Sequence, residues 1–487
     1  MASSASHPSP VRAAVVGAGM AGILSAVRLT ERGIDCVVFE KADRVGGTWR
    51  ENTYPGLSCD VPAHSYTYSF ARNPDWSRRY AEGPEIQRYF ERVARDHDVL
   101  RLVRFGDEVV GLEFLDGRWH LATASGHSDV FDVVIAATGV LHHPNVPHFE
   151  GIETFAGSWF HSARWDHTVP LDGRRVGVIG TGSTAVQISA ALVGRVERFA
   201  LFQRTAQWVL GTPNPEYTAA ERAAFRADPA GLEALIAQMA SALNDGTAAA
   251  VIDVESPVLA EIARRCQEHL DTVRDPDLRR RLTPNYRAMC KRLIVSADFY
   301  EAIQQPNAAL VTDRIQRIEP AGVRTADGTL HELDVLVLAT GFRADRFIRP
   351  TTVRGRDGID LDEVWRAGPL AYLSVTVPGF PNLFFLNGPN GPVGNFSLIE
   401  IAERQLEYAL QLIEGIRHGA FREVSPTPEA TQRFEDERRA AAAHTVWASG
   451  CDSWYLDARG VPASWTFTHD RFVGEMAAPR LADFEMR

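Results

Sequence analysis

A chain of 487 residues is too long for one ordinary hydrophobic core and predicts two or three domains. Its 45% hydrophobic and 23% charged residues suit a globular protein, and a net charge of −11 argues against nucleic acid or an anionic membrane as partner. Five scattered cysteines with no CxxC pair speak against a zinc cluster or a dithiol reductase and point to a reducing cytoplasm.

Residues 12–16, "RAAVV", read as a short buried strand. "GAGMAG" follows, with Gly17, Gly19 and Gly22 in GxGxxG spacing, then an apolar-periodic helix to about Arg32. The apolar run here is too short to span a membrane. "DCVVFE" is a second strand ending at Glu40, 23 residues after Gly17. The first glycine permits a tight turn, the second lets backbone approach a pyrophosphate, and the third allows close helix–strand packing. An acid at the end of the second strand accepts hydrogen bonds from a ribose diol. The stretch "ENTYPGLSCDVPAHSY" comes next, carrying Asp60 on a segment with neither helical nor strand periodicity. "FDVVIAATGV" and, later, "LDVLVLATGF" are strands entering Ala-Thr-Gly turns, each returning the chain to a dinucleotide-binding sheet.

The strand–loop–helix–strand pattern recurs in "RRVGVIGTGSTAVQISAAL", a GxGxxA variant with Gly180, Gly182 and Ala185. Its second strand leads to Arg204, 24 residues after Gly180, and then Thr205. A carboxylate repels a ribose 2′-phosphate, whereas an arginine pairs with it through charge-assisted bonds. Two dinucleotides are therefore expected, one without a 2′-phosphate and one with it, and FAD and NADPH fit. An alanine-rich helical stretch, residues 213–290, interrupts the second unit, and 398–416 reads as an amphipathic helix on the first. The Trp/Tyr-rich segment 451–467, which includes Trp454, reads either as a substrate mouth or as ordinary packing.

Two longer motifs carry a family resemblance. "FAGSWFHSARWD" matches FxGxxxHxxxW(P/D) through Phe155, Gly157, His161, Trp165 and Asp166, and "GGTWRENTYPGLSCD" matches GGxWxxxxYPGxxxD through Gly46 to Asp60. The chain so resembles the Baeyer–Villiger monooxygenases, from about residue 10 to about 400. That resemblance implies tightly held FAD, NADPH in a second domain, and insertion of one oxygen of O2 beside a ketone carbonyl through a flavin peroxide. Gly47, Thr48, Trp49, Asp60 and Tyr66 would lie along the flavin, with Asn395 in a flavin-contacting turn. Thr181, Gly182, Ser183, Thr184, Ala185, Arg204 and Thr205 would hold NADPH, and Lys291 and Arg292 would lie on its nicotinamide side. Catalysis would rest on Arg292, oriented by Asp60, with His161 tuning domain motion or cofactor position. An anionic peroxide attacking a carbonyl needs a fixed positive charge beside it, and arginine stays charged at any working pH. The alternative is a flavin-containing monooxygenase oxidising sulfur or nitrogen, against which Arg292 and the Trp165-Asp166 ending speak.

The expected fold is α/β, with two Rossmann-like dinucleotide-binding domains and a helical insertion in the NADPH domain. Residues 10–145 and 372–487 would form the FAD domain, and 146–371 the NADPH domain with its insertion at 213–290.

Overall fold

Two five-stranded parallel sheets organise the computed structural model, which describes residues 10–453, 455–457 and 459–487. Trp454 lies outside the described residues. The first sheet runs, in spatial order, Leu383–Phe385, Val133–Ala136, Arg12–Val16, Asp35–Glu40, Val103–Phe105. The second runs Ala308–Val311, Arg198–Phe202, Arg175–Ile179, Val335–Leu338, Ser158–His161. Their central strands are apolar and buried almost throughout, as parallel strands covered on both faces must be. In each sheet the chain crosses in opposite directions around the strand that precedes the glycine loop, which opens a crevice at that strand's carboxyl end.

The two loops superpose in their bonding. Gly17 N–H donates to Phe39 O at 2.8 Å, and Gly180 N–H to Phe202 O at 3.2 Å. Both Ala-Thr-Gly turns return to the sheets as expected and press on these glycines. A Cβ at Gly17 would lie 2.7 Å from Ala137 O, and one at Gly180 2.2 Å from Ala339 O, with φ at +101° and +125°. Only glycine fits such a turn. The loops differ at their third position: a Cβ at Gly22 would sit 1.8 Å from Gly17 O, whereas the second unit accommodates Ala185, fully buried, in that place.

The helical insertion forms as its cap residues dictate. Thr218 and Glu221 make a capping box at the start of Ala219–Ala227, and Asp228, Ser256 and Asp275 cap three further helices, each with proline in its first turn. The helix Pro229–Ser241 runs into a π-helical stretch, Ala242–Ala248. The helix Leu398–Arg417 lies on the first unit, where Arg417 donates to Arg32 O at 2.6 Å and Glu407 pairs with Arg32 at 2.6 Å.

One boundary moves. The strand Thr352–Arg354 pairs in parallel with Val109–Leu115, so the chain is back on the first unit by residue 352, ahead of the expected limit at 371. Cys290 and Cys451 form a disulfide across 161 residues of sequence, while Cys36, Cys59 and Cys266 are free and buried. The expectation drawn from scattered cysteines therefore misses one pair. Among the described residues no helix is long and apolar enough to cross a membrane.

Candidate active site

The two glycine loops open into one cleft of about 1260 Å³. Gly17, Gly19 and Glu40 line its first end, and Thr181, Gly182, Ser183 and Thr184 the facing end. A volume above the roughly 300–1,000 Å³ of a single small-molecule pocket suits two ligands side by side.

On the first side, a Cβ at Gly47 would lie 2.9 Å from the Cα of Gly19, so these two backbones form a cradle that side chains would fill. Glu40 is buried, and its two carboxylate oxygens accept from Ala18 N–H at 2.7 Å and Ala42 N–H at 2.8 Å. Fixed in this way at the strand end, it faces the cleft where a ribose diol would bind. Thr48 opens the short helix Thr48–Glu51. Trp49 donates its indole N–H to the Tyr66 hydroxyl at 3.2 Å, and the rings meet edge-on at 5.8 Å. Burial raises the Tyr66 phenol, which stays protonated. Apolar walls with a backbone cradle and a strand-end acid fit FAD.

On the second side, Gly182 has open space around its Cα, and Thr181 donates its hydroxyl to Thr205 O at 2.7 Å. Arg204 is exposed along the cleft rim, and Lys291 faces the same cleft. Burial lowers the Lys291 ammonium pKa, the Asp452 charge opposes that, and Arg204 adds to the lowering as a like charge. Lys291, expected on the nicotinamide side, is thus near enough to Arg204 for their charges to interact, and two such cations beside a glycine loop fit a dinucleotide bearing a 2′-phosphate, as NADPH does.

Between the two sides lie Asp60 and Arg292, 232 residues apart in sequence. Asp60 sits in a loop pinned on both flanks, by Cys59 N–H to Ala81 O at 3.0 Å and Ala63 N–H to Arg79 O at 2.6 Å. Arg292 donates to Asp60 Oδ2 from Nε at 3.1 Å and from Nη2 at 2.7 Å. The Asp60 charge, followed by the opposing effect of burial, holds the Arg292 pKa above its ordinary value. Its side chain keeps 33% of its area accessible, and it lines both the main cleft and a smaller adjoining cavity of about 80 Å³. That cavity is walled by Val61, Leu243, Val251, Met289, Phe396 and Trp447, with contributions from the π-helical stretch. A cation held by a carboxylate thus stands where a cofactor cleft meets an apolar pocket.

Four of the expected site residues do not line the main cleft. His161 is buried and is absent from the cleft wall: its Nδ1 accepts from Ala163 N–H at 3.1 Å, which leaves Nε2–H to donate to Gly341 O at 3.1 Å. Burial lowers its pKa, so it stands neutral, with both ring nitrogens bonded, at the end of the strand Ser158–His161. Gly22 and Ala185 serve helix–sheet packing behind the loops and do not line the cleft. Asn395 lines the smaller cavity, with its amide donating to Trp465 O at 3.2 Å. One residue escaped the sequence reading. Gln187 accepts from Tyr54 Oη at 2.9 Å and donates to Ser58 O at 3.0 Å, tying the Tyr-Pro-Gly segment to the second loop's helix. Tyr455, within the segment read as substrate mouth or ordinary packing, lies beside Gly394 as Arg292 Nη1 does.

His64, four residues beyond Asp60, gives a pH prediction. It is 1% exposed and packs against the rings of Tyr217 and Phe225 from the insertion, at 5.4 and 4.9 Å. Burial lowers its pKa from 6.5 to about 4. The unfolded chain therefore binds the extra proton first, and stability should fall as pH drops from about 6.5 to about 4, by roughly 3 kcal/mol in total. Thermal melts at pH 7 and pH 5 should show His64→Phe losing less than the parent chain. Equal losses would contradict this assignment.

Comparison with known proteins agrees with this geometry. Residues 11–217 match the family model described as flavin-binding monooxygenase-like. An uncharacterized monooxygenase of Mycobacterium tuberculosis is 48% identical over 97% of this chain and 96% of that protein. A Baeyer–Villiger monooxygenase of Streptomyces coelicolor is 38% identical over 98% of this chain and 92% of that protein. The crystal structure of cyclohexanone monooxygenase from a Rhodococcus species, bound to NADP+, matches with a TM-score of 0.87 at 31% identity, covering 98% of this chain and 100% of that one. With two dinucleotide loops, the Asp60–Arg292 pair and relatives of this identity along nearly its whole length, the chain belongs to the Baeyer–Villiger monooxygenases.

Proposed function

We propose that this enzyme, an FAD- and NADPH-dependent monooxygenase, inserts one oxygen atom of O2 beside the carbonyl of a small ketone to give an ester or lactone. The observation that carries the substrate reading is the Asp60–Arg292 pair at the junction of the main cleft and the smaller apolar cavity. FAD, once reduced by NADPH, supplies the activated oxygen. The chain's own residues do the rest. Arg292 places a permanent positive charge where negative charge develops on the transferred oxygen and the former carbonyl oxygen. Asp60 holds that charge in place. Trp49 and Tyr66 close the first side of the cleft against water, and Arg204 with Lys291 anchors the 2′-phosphate.

A panel of aliphatic, cyclic and aryl ketones, with products identified by mass spectrometry, tests the reading. At least one ketone should yield an ester or lactone in step with NADPH consumption. Sulfoxides and hydroxylamines with no ester from any ketone would move the enzyme to heteroatom oxidation.

A further inference from the structure

Both hydrogen bonds from Arg292 to Asp60 converge on a single oxygen, Oδ2, at 3.1 and 2.7 Å. A guanidinium carries five N–H donors in one plane, and a carboxylate fixes that plane best by accepting on both oxygens. Contact through one oxygen leaves the group able to pivot about it. A second anchor is needed on the Nη1 edge, and the structure supplies one. A Cβ at Gly394 would lie 2.3 Å from the Tyr455 hydroxyl and 3.1 Å from Arg292 Nη1, so the phenol oxygen and this nitrogen flank the same glycine. Burial raises the Tyr455 pKa, and the nearby Arg292 charge opposes that rise. Tyr455 is 4% exposed, its ring packs on Trp447 at 5.1 Å, and its carbonyl accepts from Ala463 N–H at 2.7 Å.

The disulfide addresses the same spot. Cys290 stands two residues before Arg292 and Cys451 four before Tyr455, so the bond fastens the chain that carries the phenol to the chain that carries the guanidinium. Ser449 reinforces the junction, its hydroxyl reaching Cys290 Sγ at 3.5 Å.

We infer that Tyr455 is a positioning residue that fixes the plane of the Arg292 guanidinium against Asp60, and that the Cys290–Cys451 bond holds it there. This rests on the role proposed above for Arg292. It adds a third member to the pair and makes the coupling of oxygen transfer to NADPH use depend on a bond between segments 161 residues apart.

The test compares Tyr455→Phe, Cys451→Ser and Arg292→Ala with the parent holoenzyme. Ester formed and hydrogen peroxide released per NADPH are measured with the best ketone of the panel. Crystal structures of the FAD–NADP+ forms give a readout independent of activity. Tyr455→Phe keeps the ring on Trp447, so FAD content and melting temperature should hold. Ester per NADPH should fall about tenfold with a matching rise in peroxide, and the Arg292 guanidinium should appear rotated or in several rotamers. Cys451→Ser should show the same signature at about two- to fivefold. Full coupling and a single Arg292 rotamer in Tyr455→Phe, beside an uncoupled Arg292→Ala, would overturn the inference and leave the reading of Arg292 standing. Normal coupling in Arg292→Ala would overturn both. Loss of FAD or a lowered melting temperature in Tyr455→Phe would make the residue structural and end the proposal. A fully coupled Cys451→Ser would remove the disulfide from it.

Discussion

Arg292→Ala should retain FAD, still be reduced by NADPH, and lose ester formation by at least about a hundredfold. Two unit charges about 4 Å apart at an effective dielectric near 20 interact by roughly 4 kcal/mol, which corresponds to about a thousandfold in rate. The 33% exposure of the Arg292 side chain allows some screening, and about a hundredfold is the expected floor. Reduction of FAD needs the two cofactors stacked in the cleft more than it needs this charge, so that half-reaction should persist at an altered rate. The NADPH consumed should reappear as hydrogen peroxide. Asp60→Ala should give a milder form of the same defect, because the cation remains but its anchor at Oδ2 is gone. Stopped-flow absorbance separates the two half-reactions, and chromatography measures the ester. Unchanged ester yield in Arg292→Ala would refute the mechanism, whereas loss of FAD would assign the residue to folding.

Arg204→Ala should raise the KM for NADPH roughly tenfold or more while leaving that for NADH nearly unchanged. A hydrogen bond to a charged group contributes about 1.5–3 kcal/mol, or roughly ten- to a hundredfold. Lys291 faces the same cleft and remains, which places the expectation toward the lower end. The discriminating quantity is the ratio of kcat/KM values for the two nucleotides, since only one of them carries the 2′-phosphate. A proportional loss with both would show that Arg204 supports the loop as a whole, and the 2′-phosphate would then need another partner.

The sequence by itself determined the local architecture. Strands read from apolar runs, both glycine loops, the strand-end Glu40 and the Arg204 that follows the second unit's strand all lie where their spacing placed them. The reason is physical: such features depend on neighbours within a few residues, through turn sterics and burial of one face, and leave a periodic trace. The partnership of Asp60 with Arg292 came from family resemblance, because 232 residues separate them and nothing local marks the pair. Only the tertiary structure decided the rest. His161 ends a strand of the second sheet and satisfies both ring nitrogens on backbone, a placement that its motif spacing does not give. Gly22 is forced by a carbonyl 1.8 Å from where its Cβ would be, while its counterpart Ala185 is tolerated, a difference in sheet–helix approach that spacing does not encode. The Cys290–Cys451 bond and the approach of Tyr455 to Arg292 arise where chain segments far apart in sequence pack together. Long-range contacts of that kind are set by how whole units dock, so no window of sequence carries them.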